Sequence, residues 1–501
     1  MKEKLVKVSS LKVKTWTYGK LSKAEKSIAY FLAFVILFID FLQILPVLSS
    51  RSLKSLSSFG TIGFETVKTS YIIFNDGGII YARNETRGEI DYFGTDASTI
   101  INKVMEALTK ERKWKEKVLL RGSFLISDTI KIPSYTVLEI QGKLTLANGT
   151  NKRIIENRDR LTTGNTQIEI VGGELNGNRV QQTNGTTLFG ILLQKVTDSR
   201  IENVQIYNTV NSAIQLYNCE RIQVYNISIT EPAVLGVAGC LLVDSKDIKI
   251  EGGSIISGDD ALAIATENAD VENIVISNLR LFSHKANGIR INQADSSVER
   301  NETRYIRQVT ISNIIIDGAL GSYSKGIAAL LPSTSTSYFE DSSFNNITIR
   351  NIHGKDGVYL KNARRITFTN LNVYDIEQNG INMEYMNIEE ITIMSFKIRD
   401  VAKGRTGHGI LLGDPTHQVK KILISDGSLS DATILGSDGI RLRNALNCTI
   451  RNVTIKNFTD WGIIEFEPSD YNLIIDNEVR NNKNGGIYIV GPHTIKINNK
   501  E

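Results

Sequence analysis

Most of this chain is written in one recurring phrase: a polar residue, then glycine or alanine, then an aliphatic residue followed by alternating polar and apolar positions. The small residue falls at Gly190, Ala213, Gly239, Ala261, Gly288, Gly326, Gly357, Gly380, Gly409, Gly439, Gly462 and Gly486, at intervals of 22 to 38 residues. A second phrase lies between these, as in RIENVQIYN, VENIVISNLRL, QVTISNIII, NITIRNI and RITFTNLNV. It alternates with period two, which marks a strand, and Asn or Asp follows it at the turn. Two or three short strands per ~25 residues, without helical periodicity between them, predict the coils of an all-β, right-handed parallel β-helix. Propeller blades would be longer, and a leucine-rich solenoid would show its leucine consensus.

The start of the chain follows other patterns. Tyr71–Phe74 and Ile79–Ala82 flank Asn75-Asp76-Gly77-Gly78, a hairpin signal. Asp96 ahead of Ile100, Ile101, Val104 and Leu108 predicts an N-capped amphipathic helix, placed to cover the open end of the first coil. Further upstream, Ile28–Ile39 is unbroken apolar sequence, and the run resumes after Asp40 as far as Leu48. Twenty-one residues at ~1.5 Å rise reach about 31 Å, enough to cross a bilayer core. The expected layout is a basic cytoplasmic tail (1–27), a transmembrane signal-anchor (28–48), a spacer with the hairpin (49–92) and an extracytoplasmic β-helix (93–499). A cleaved signal peptide ending near Ser49 and Ser50 is the competing reading, and either one exports the β-helix.

Charge sharpens this division. The chain carries 58 Lys+Arg against 54 Asp+Glu, but residues 1–26 alone hold eight lysines and two acids. Residues 51–501 are left with 50 basic and 51 acidic side chains, which argues against nucleic acid as a partner. Three cysteines (Cys219, Cys240, Cys448) exclude a disulfide scaffold, and Cys240 falls at an inward aliphatic position. His353, His417 and His493 have no Cys or His at metal spacing, so no metal centre is expected from them. Nine Asn-x-Ser/Thr sequons (Asn84, Asn148, Asn184, Asn226, Asn301, Asn346, Asn447, Asn452, Asn457) suit glycosylation without demonstrating it.

The segments Gly94–Ala107 (GTDASTIINKVMEA) and Leu120–Ile132 (LRGSFLISDTIKI) resemble the opening of pectate-lyase-superfamily proteins. Over roughly residues 93–499 the chain resembles the pectin-lyase-like β-helix superfamily, which includes polygalacturonase-type glycoside hydrolases. The resemblance implies a carbohydrate ligand and leaves the reaction to be argued from the site.

In a β-helix, equivalent positions of successive coils stack about 4.8 Å apart. The residues preceding the small ones then form a column, and seven consecutive coils present Asp260, Asn287, Lys325, Asp356, Asn379, His408 and Asp438. That stripe is about 29 Å long, room for several sugar units. Outward positions two and four residues past the small one add Arg290, Tyr359, Lys361, Asn382, Glu384, Arg441 and Arg443, and Trp461 offers a stacking surface beyond. A solvated sheet face with an Asn/Asp turn ladder is the plain alternative.

The polygalacturonase pattern of Asn-Thr-Asp, Asp-Asp, Gly-His-Gly and Arg-Ile-Lys on successive coils can be laid on this sequence in two ways. The first places the paired Asp on Asp259-Asp260, with Ala238, Asn287 (His284 nearby), Ala328 and Leu330 at the other positions. The second aligns Asp356, then Gln378-Asn379 in place of the paired Asp, then Gly407-His408-Gly409, then Arg441-Leu442-Arg443. Inverting hydrolysis needs two carboxyls about 6.5–9.5 Å apart. Asp356 and Asp438, three coils apart at ~14 Å, are too distant. Asp260 beside Asp259 could supply a catalytic pair, although adjacent residues on a strand usually face opposite ways. A lyase would instead use Arg441, Arg443, Lys361 and His408, with Asp356 or Asp438 as a calcium ligand. The expected function is therefore a membrane-anchored carbohydrate-active enzyme, lyase or hydrolase, cleaving an acidic glycan. The alternative is a non-catalytic glycan-binding, adhesin or cell-envelope scaffold.

Overall fold

The structure, a computed structural model, describes residues 67–501 except 184–187, 232–233, 235, 237, 295–297, 300–301, 333–335 and 435. The tail, the apolar segment 28–48 and the spacer to residue 66 lie outside the described residues. No helix among the described residues is long and apolar enough to cross a membrane.

Alternation governs the architecture. Its apolar positions turn inward and its polar ones outward, so strands stack as a parallel β-helix with one sheet of 24 strands and another of 14 among the described residues. In the smaller sheet, Ile327, Val358, Ile381, Ile410, Ile440 and Ile463 stand in register and are fully buried. The larger sheet does the same with Phe344, Ile347 and Ile349 above Phe368, Leu371 and Val373, where the two phenylalanine rings stack at 4.6 Å. One apolar column runs the length of the solenoid, and buried Cys219, Cys240 and Cys448 belong to it. Burial pushes all three thiols up to about 12, so they behave as small hydrophobes.

The Asn residues that the sequence places after the strand phrase sit in left-handed backbone. Asn278, Asn313, Asn346 and Asn370 all have φ between 54° and 59°. Asn tolerates that region better than most residues, and its side chain can bond locally. Here each amide reaches the neighbouring coil: Asn313 donates to Asn278 at 3.1 Å, Asn346 to Asn313 at 2.8 Å and Asn370 to Asn346 at 3.0 Å.

A second ladder carries charge. At one register position of the larger sheet, successive coils present Glu220, Lys246, Glu272, Arg307, Glu340, Arg364, Glu389 and Lys420. The sign alternates at every step. Lys246 lies 3.3 Å from Glu272, Arg307 Nε 2.8 Å from Glu272, Arg364 Nε 2.6 Å from Glu340 and Lys420 3.1 Å from Glu389.

At the start, Thr69–Asp76 pairs antiparallel with Ile79–Asn84 and parallel with Glu116–Ile126, so the hairpin is continuous with the main sheet. Helix α1 (Ala97–Ala107) begins at Asp96, whose carboxylate accepts from the Thr99 amide at 2.6 Å. Its buried face of Ile100, Ile101, Val104 and Met105 joins the apolar column. Asn102 ties it to the first coil, donating to the Thr129 carbonyl at 2.9 Å and accepting from the Lys131 amide at 3.0 Å.

The recurring small residue has a steric cause. A Cβ on Gly380 would stand 2.5 Å from Ile398 Cγ2 and 2.6 Å from the Gly409 carbonyl oxygen. Gly380→Ala should therefore destabilise the fold by roughly 1–3 kcal/mol, the usual range for overpacking. The check is its chemical-denaturation midpoint against wild type, and an unchanged midpoint would contradict the steric account.

Candidate functional site

The polar column forms as the periodicity predicts. Gly326 N donates to Asp356 O at 3.1 Å, Gly357 N to Asn379 O at 2.9 Å, Gly380 N to His408 O at 3.0 Å, Gly409 N to Asp438 O at 3.0 Å and Gly439 N to Trp461 O at 2.9 Å. The coils holding Asp260, Asn287 and Lys325 continue the same chain of bonds.

The side chains are not free, however. Asp260 Oδ1 accepts from Asn287 N at 3.0 Å, Asn287 Oδ1 from Lys325 N at 3.0 Å and Asp356 Oδ1 from Asn379 N at 3.3 Å. Asn379 Oδ1 then accepts from His408 N at 2.8 Å, His408 Nδ1 from Asp438 N at 3.1 Å and Asp438 Oδ1 from Trp461 N at 3.0 Å. Six of the seven members thus cap the amide of the next coil, and Lys325 is the exception because ammonium has no acceptor. A buried amide without an acceptor costs about 1–3 kcal/mol, which explains why Asp, Asn and His recur at this position. Asp260 and Asp356 are 1% exposed and Asp438 is fully buried.

Charge within the column is set by burial and partners. Burial raises Asp260 above the ordinary carboxylate range, opposed by the Arg290 guanidinium at 2.9 Å. Burial also raises Asp356, opposed by Asn379 and Lys325. Burial works in the same direction on Asp438, but His408 and Arg441, whose Nε donates to it at 2.7 Å, outweigh it and hold that carboxyl low. Burial lowers His408 despite Asp438. Its Nδ1 accepts an amide hydrogen, so the neutral ring carries its proton on Nε2.

The accessible chemistry lies on the outward positions of the next strand. Register aligns Tyr359, Asn382, Leu411 and Arg441 on neighbouring coils, with Lys361, Glu384, Gly413 and Arg443 two residues further along. Two recesses open over them. One, of 180 Å³, is lined by residues including Asn379, Glu384, His408, Asp414, Arg441 and Arg443. The other, of 110 Å³, is lined by residues including Lys325, Lys355, Asp356, Tyr359, Asn382 and Glu384. Gln378 and Glu384 belong to both, which makes one groove of them.

Glu384 stands at that junction with its carboxyl raised, first by burial and then by the negative charges of Asp356 and Asp414, while Asn382 opposes the shift. Asp414 goes the other way. Burial opposes its charge, but His417 Nδ1 at 2.6 Å, Thr416 Oγ1 at 2.7 Å and the amides of Thr416 at 2.7 Å and His417 at 2.8 Å hold it low. Lys325 is lowered by burial, opposed by Asp356, and its ammonium lies 5.1 Å from the Tyr359 ring centroid. Burial lowers Lys361, whose ammonium lies 5.6 Å from the Tyr385 ring centroid, and raises Tyr359 so that its phenol stays protonated.

The groove thus unites Lys325, Asp356, Tyr359, Asn379, Asn382, Glu384, His408, Arg441 and Arg443, and Asp438 supports it from behind. Asp259, Asp260, Asn287 and Arg290 lie on coils outside it: Asp259 accepts from Gly236 N at 3.0 Å, and the other three bond among themselves. Asn287 and Asn379, expected to contact ligand, spend their carbonyl oxygens on the ladder. Trp461 packs on Tyr488 at 5.3 Å. Asp356 and Asp438, either of which would serve a lyase as a calcium ligand, occupy separate coils. They are three coils apart, and among the described residues no three His, Cys, Asp or Glu side chains converge on a metal position. Asp414 is not among the residues expected from the sequence. The Asp414-Pro415-Thr416 turn, with His417 next, is its only signal.

Two family models match the chain: one described as glycosyl hydrolases family 28 over residues 128–319, the other as right handed beta helix region over residues 333–501. No curated protein matches it. Among solved structures, a tailspike protein of E. coli bacteriophage HK620, in complex with a pentasaccharide, is 10% identical. That match covers 78% of this chain and 74% of that chain with a TM-score of 0.57. The A-module of mannuronan C-5 epimerase AlgE6 from Azotobacter vinelandii is 13% identical, covering 81% and 95%, at 0.49. An exopolygalacturonase from Thermotoga maritima is 13% identical, covering 68% and 86%, at 0.46. At such identities the tailspike likeness is one of fold.

His408 yields a pH prediction. Its folded-state value lies below 6.5, so below that pH the unfolded chain binds the proton that the native ring resists. Stability should fall as pH drops through 6.5, and His408→Asn should flatten that slope in denaturation curves. Imidazole nitrogen shifts should report the neutral Nε2–H tautomer at neutral pH.

Proposed function

We propose that this chain, a right-handed parallel β-helix of the pectin-lyase-like superfamily, is a glycoside hydrolase acting on an acidic polysaccharide, with Glu384 as its proton donor. The observation that carries the reading is the opposed pair of carboxyls in one groove: Glu384 raised, Asp414 held ionised. Pairs whose environments push them apart divide into acid and charge stabiliser. A protonated Glu384 delivers its proton to the leaving glycosidic oxygen as the bond from that oxygen to the anomeric carbon breaks, and water adds to the carbon and releases its proton to solvent. Burial, with Asp356 and Asp414, favours the protonated form of Glu384, and the negative charge of Asp414 in the groove favours a positive, oxocarbenium-like transition state.

The rest of the groove suits a uronate polymer. Arg441 and Arg443 offer guanidinium forks to sugar carboxylates, and the Nε2–H of His408 supplies a neutral donor beside them. The family 28 match supports glycosidase chemistry in general, while its stretch holds Asp260 almost wholly buried. The second alignment is the one whose coils meet over a groove, with Glu384 supplying a carboxyl on the coil that lacks the paired Asp. In the same reading, residues 28–48 anchor the β-helix outside the membrane and α1 closes its first coil.

One observation favours a second reading, binding without cleavage: six of the seven column residues serve the backbone. The same assay separates the two. Full-length protein is incubated with a uronate polymer, and new reducing ends and unsaturated ends are counted. Hydrolysis predicts reducing ends without unsaturation, and Glu384→Gln should lower kcat about 10²–10⁴-fold with KM little changed. Full turnover in Glu384→Gln would overturn the assignment, unsaturated ends would indicate a lyase, and retention alone would indicate a binding protein.

A further inference from the structure

The groove has a neighbour. A third recess, of 320 Å³, lies beyond the ridge formed where the His417 ring faces Tyr385 at 6.1 Å, and its lining includes Tyr338, Arg364, Asn387, His417, Gln418 and Lys420. Ligand pockets run from about 300 Å³ upward, so it is large enough for a ligand of its own. Two chain segments connect it to the groove. Glu384 lines the groove and Met386–Ile388 line the recess; Gly413 and Asp414 line the groove and Thr416–Gln418 line the recess.

Arg364 dominates its chemistry. Its Nε donates to Glu340 at 2.6 Å and its guanidinium carbon lies 4.1 Å from the Tyr338 ring centroid, so the fork is held from the side and from below. Among the described residues its terminal nitrogens make no hydrogen bond. A guanidinium fixed in this way presents the paired donors that a carboxylate takes bidentately. Lys420 adds positive charge, although Glu389 neutralises part of it. Gln418 donates to Asn444 at 3.4 Å and Asn387 to Asn362 at 3.0 Å, and each amide has further hydrogen-bonding capacity of the kind that meets sugar hydroxyls.

We propose that this recess is a distal subsite, in which Arg364 grips the carboxylate of a uronate residue belonging to the same polymer chain that crosses the groove. The inference rests on the reading of the groove as a uronate-polymer site. It adds a direction: the polymer crosses the ridge around the solenoid instead of running only along the stacked column.

The test is calorimetric binding of uronate oligomers and neutral oligosaccharides of matched length to full-length protein. Wild type is compared with Arg364→Lys, which keeps the charge but loses the fork, and with Gln418→Ala, which leaves the charge ladder alone. Unfolding midpoints control for folding. The uronate octamer should bind about tenfold more weakly to Arg364→Lys and measurably more weakly to Gln418→Ala. Affinity for the uronate dimer, which occupies only the groove, and for neutral oligomers should not change. Unchanged octamer affinity in both variants would overturn the subsite, as would an equal loss for dimer and octamer, or a wild type that binds no uronate oligomer. Binding is read without turnover. A wild type that cleaves nothing but shows the length-dependent loss keeps the subsite while hydrolysis falls, and a cleaving wild type without that loss does the reverse.

Discussion

Every coil of this protein hydrogen-bonds to the next at the fixed spacing of a parallel sheet, and the remaining features answer to that constraint. Repetition at ~4.8 Å forces like positions to face like positions, so each residue must tolerate its own counterparts above and below. Aliphatic side chains satisfy this by packing into one column. Asparagine satisfies it at the turns by donating to the asparagine of the coil before. At the bend into the smaller sheet, Asp, Asn and His accept the amide of the coil that follows.

This constraint also decides where chemistry can occur. A carboxylate at the bend is held by an amide and shielded from solvent, as Asp356 and Asp438 are, so it shapes the field of the groove from beneath. Side chains that can reach a ligand stand further along the strand, at Glu384, Arg441 and Arg443, or on the loop that Asp414 staples through His417. Site and scaffold therefore share residues. Glu384 is raised first by burial and then by Asp356 and Asp414, and the hydrogen bonds of Asp356 also order two successive coils.

Much of this is legible in the amino-acid sequence alone. Period-two alternation and the recurring Gly or Ala locate the coils, and counting one residue back and two or four forward names the column and the outward positions in their observed registers. The Asp96 cap and the hairpin at Asn75–Gly78 follow from local chemistry, which acts within a few residues. The ladder is harder to see, because the identities Asp, Asn and His suit ligand binding and amide capping equally well. Asp414 escapes for a different reason. Its place depends on Gly413, whose φ of 69° turns the chain out of the strand after Leu412, so Asp414 occupies no stacked position. The shift of Asp414 is local, set by Thr416 and His417, whereas that of Glu384 depends on burial and on Asp356 and Asp414 from neighbouring coils, a relation with no linear signature.

The alternating charges of the larger sheet bear on how such a solenoid can lengthen or shorten. From Glu220 to Lys420 the sign reverses at each coil. Duplicating or deleting a single coil within this stretch would set two like charges directly opposite each other, which destabilises a sheet. Duplicating or deleting two coils together would preserve every pairing. Inheritable growth by whole turns would then proceed in even steps, and a grafted coil would have to match the parity of its insertion point as well as its hydrophobic pattern.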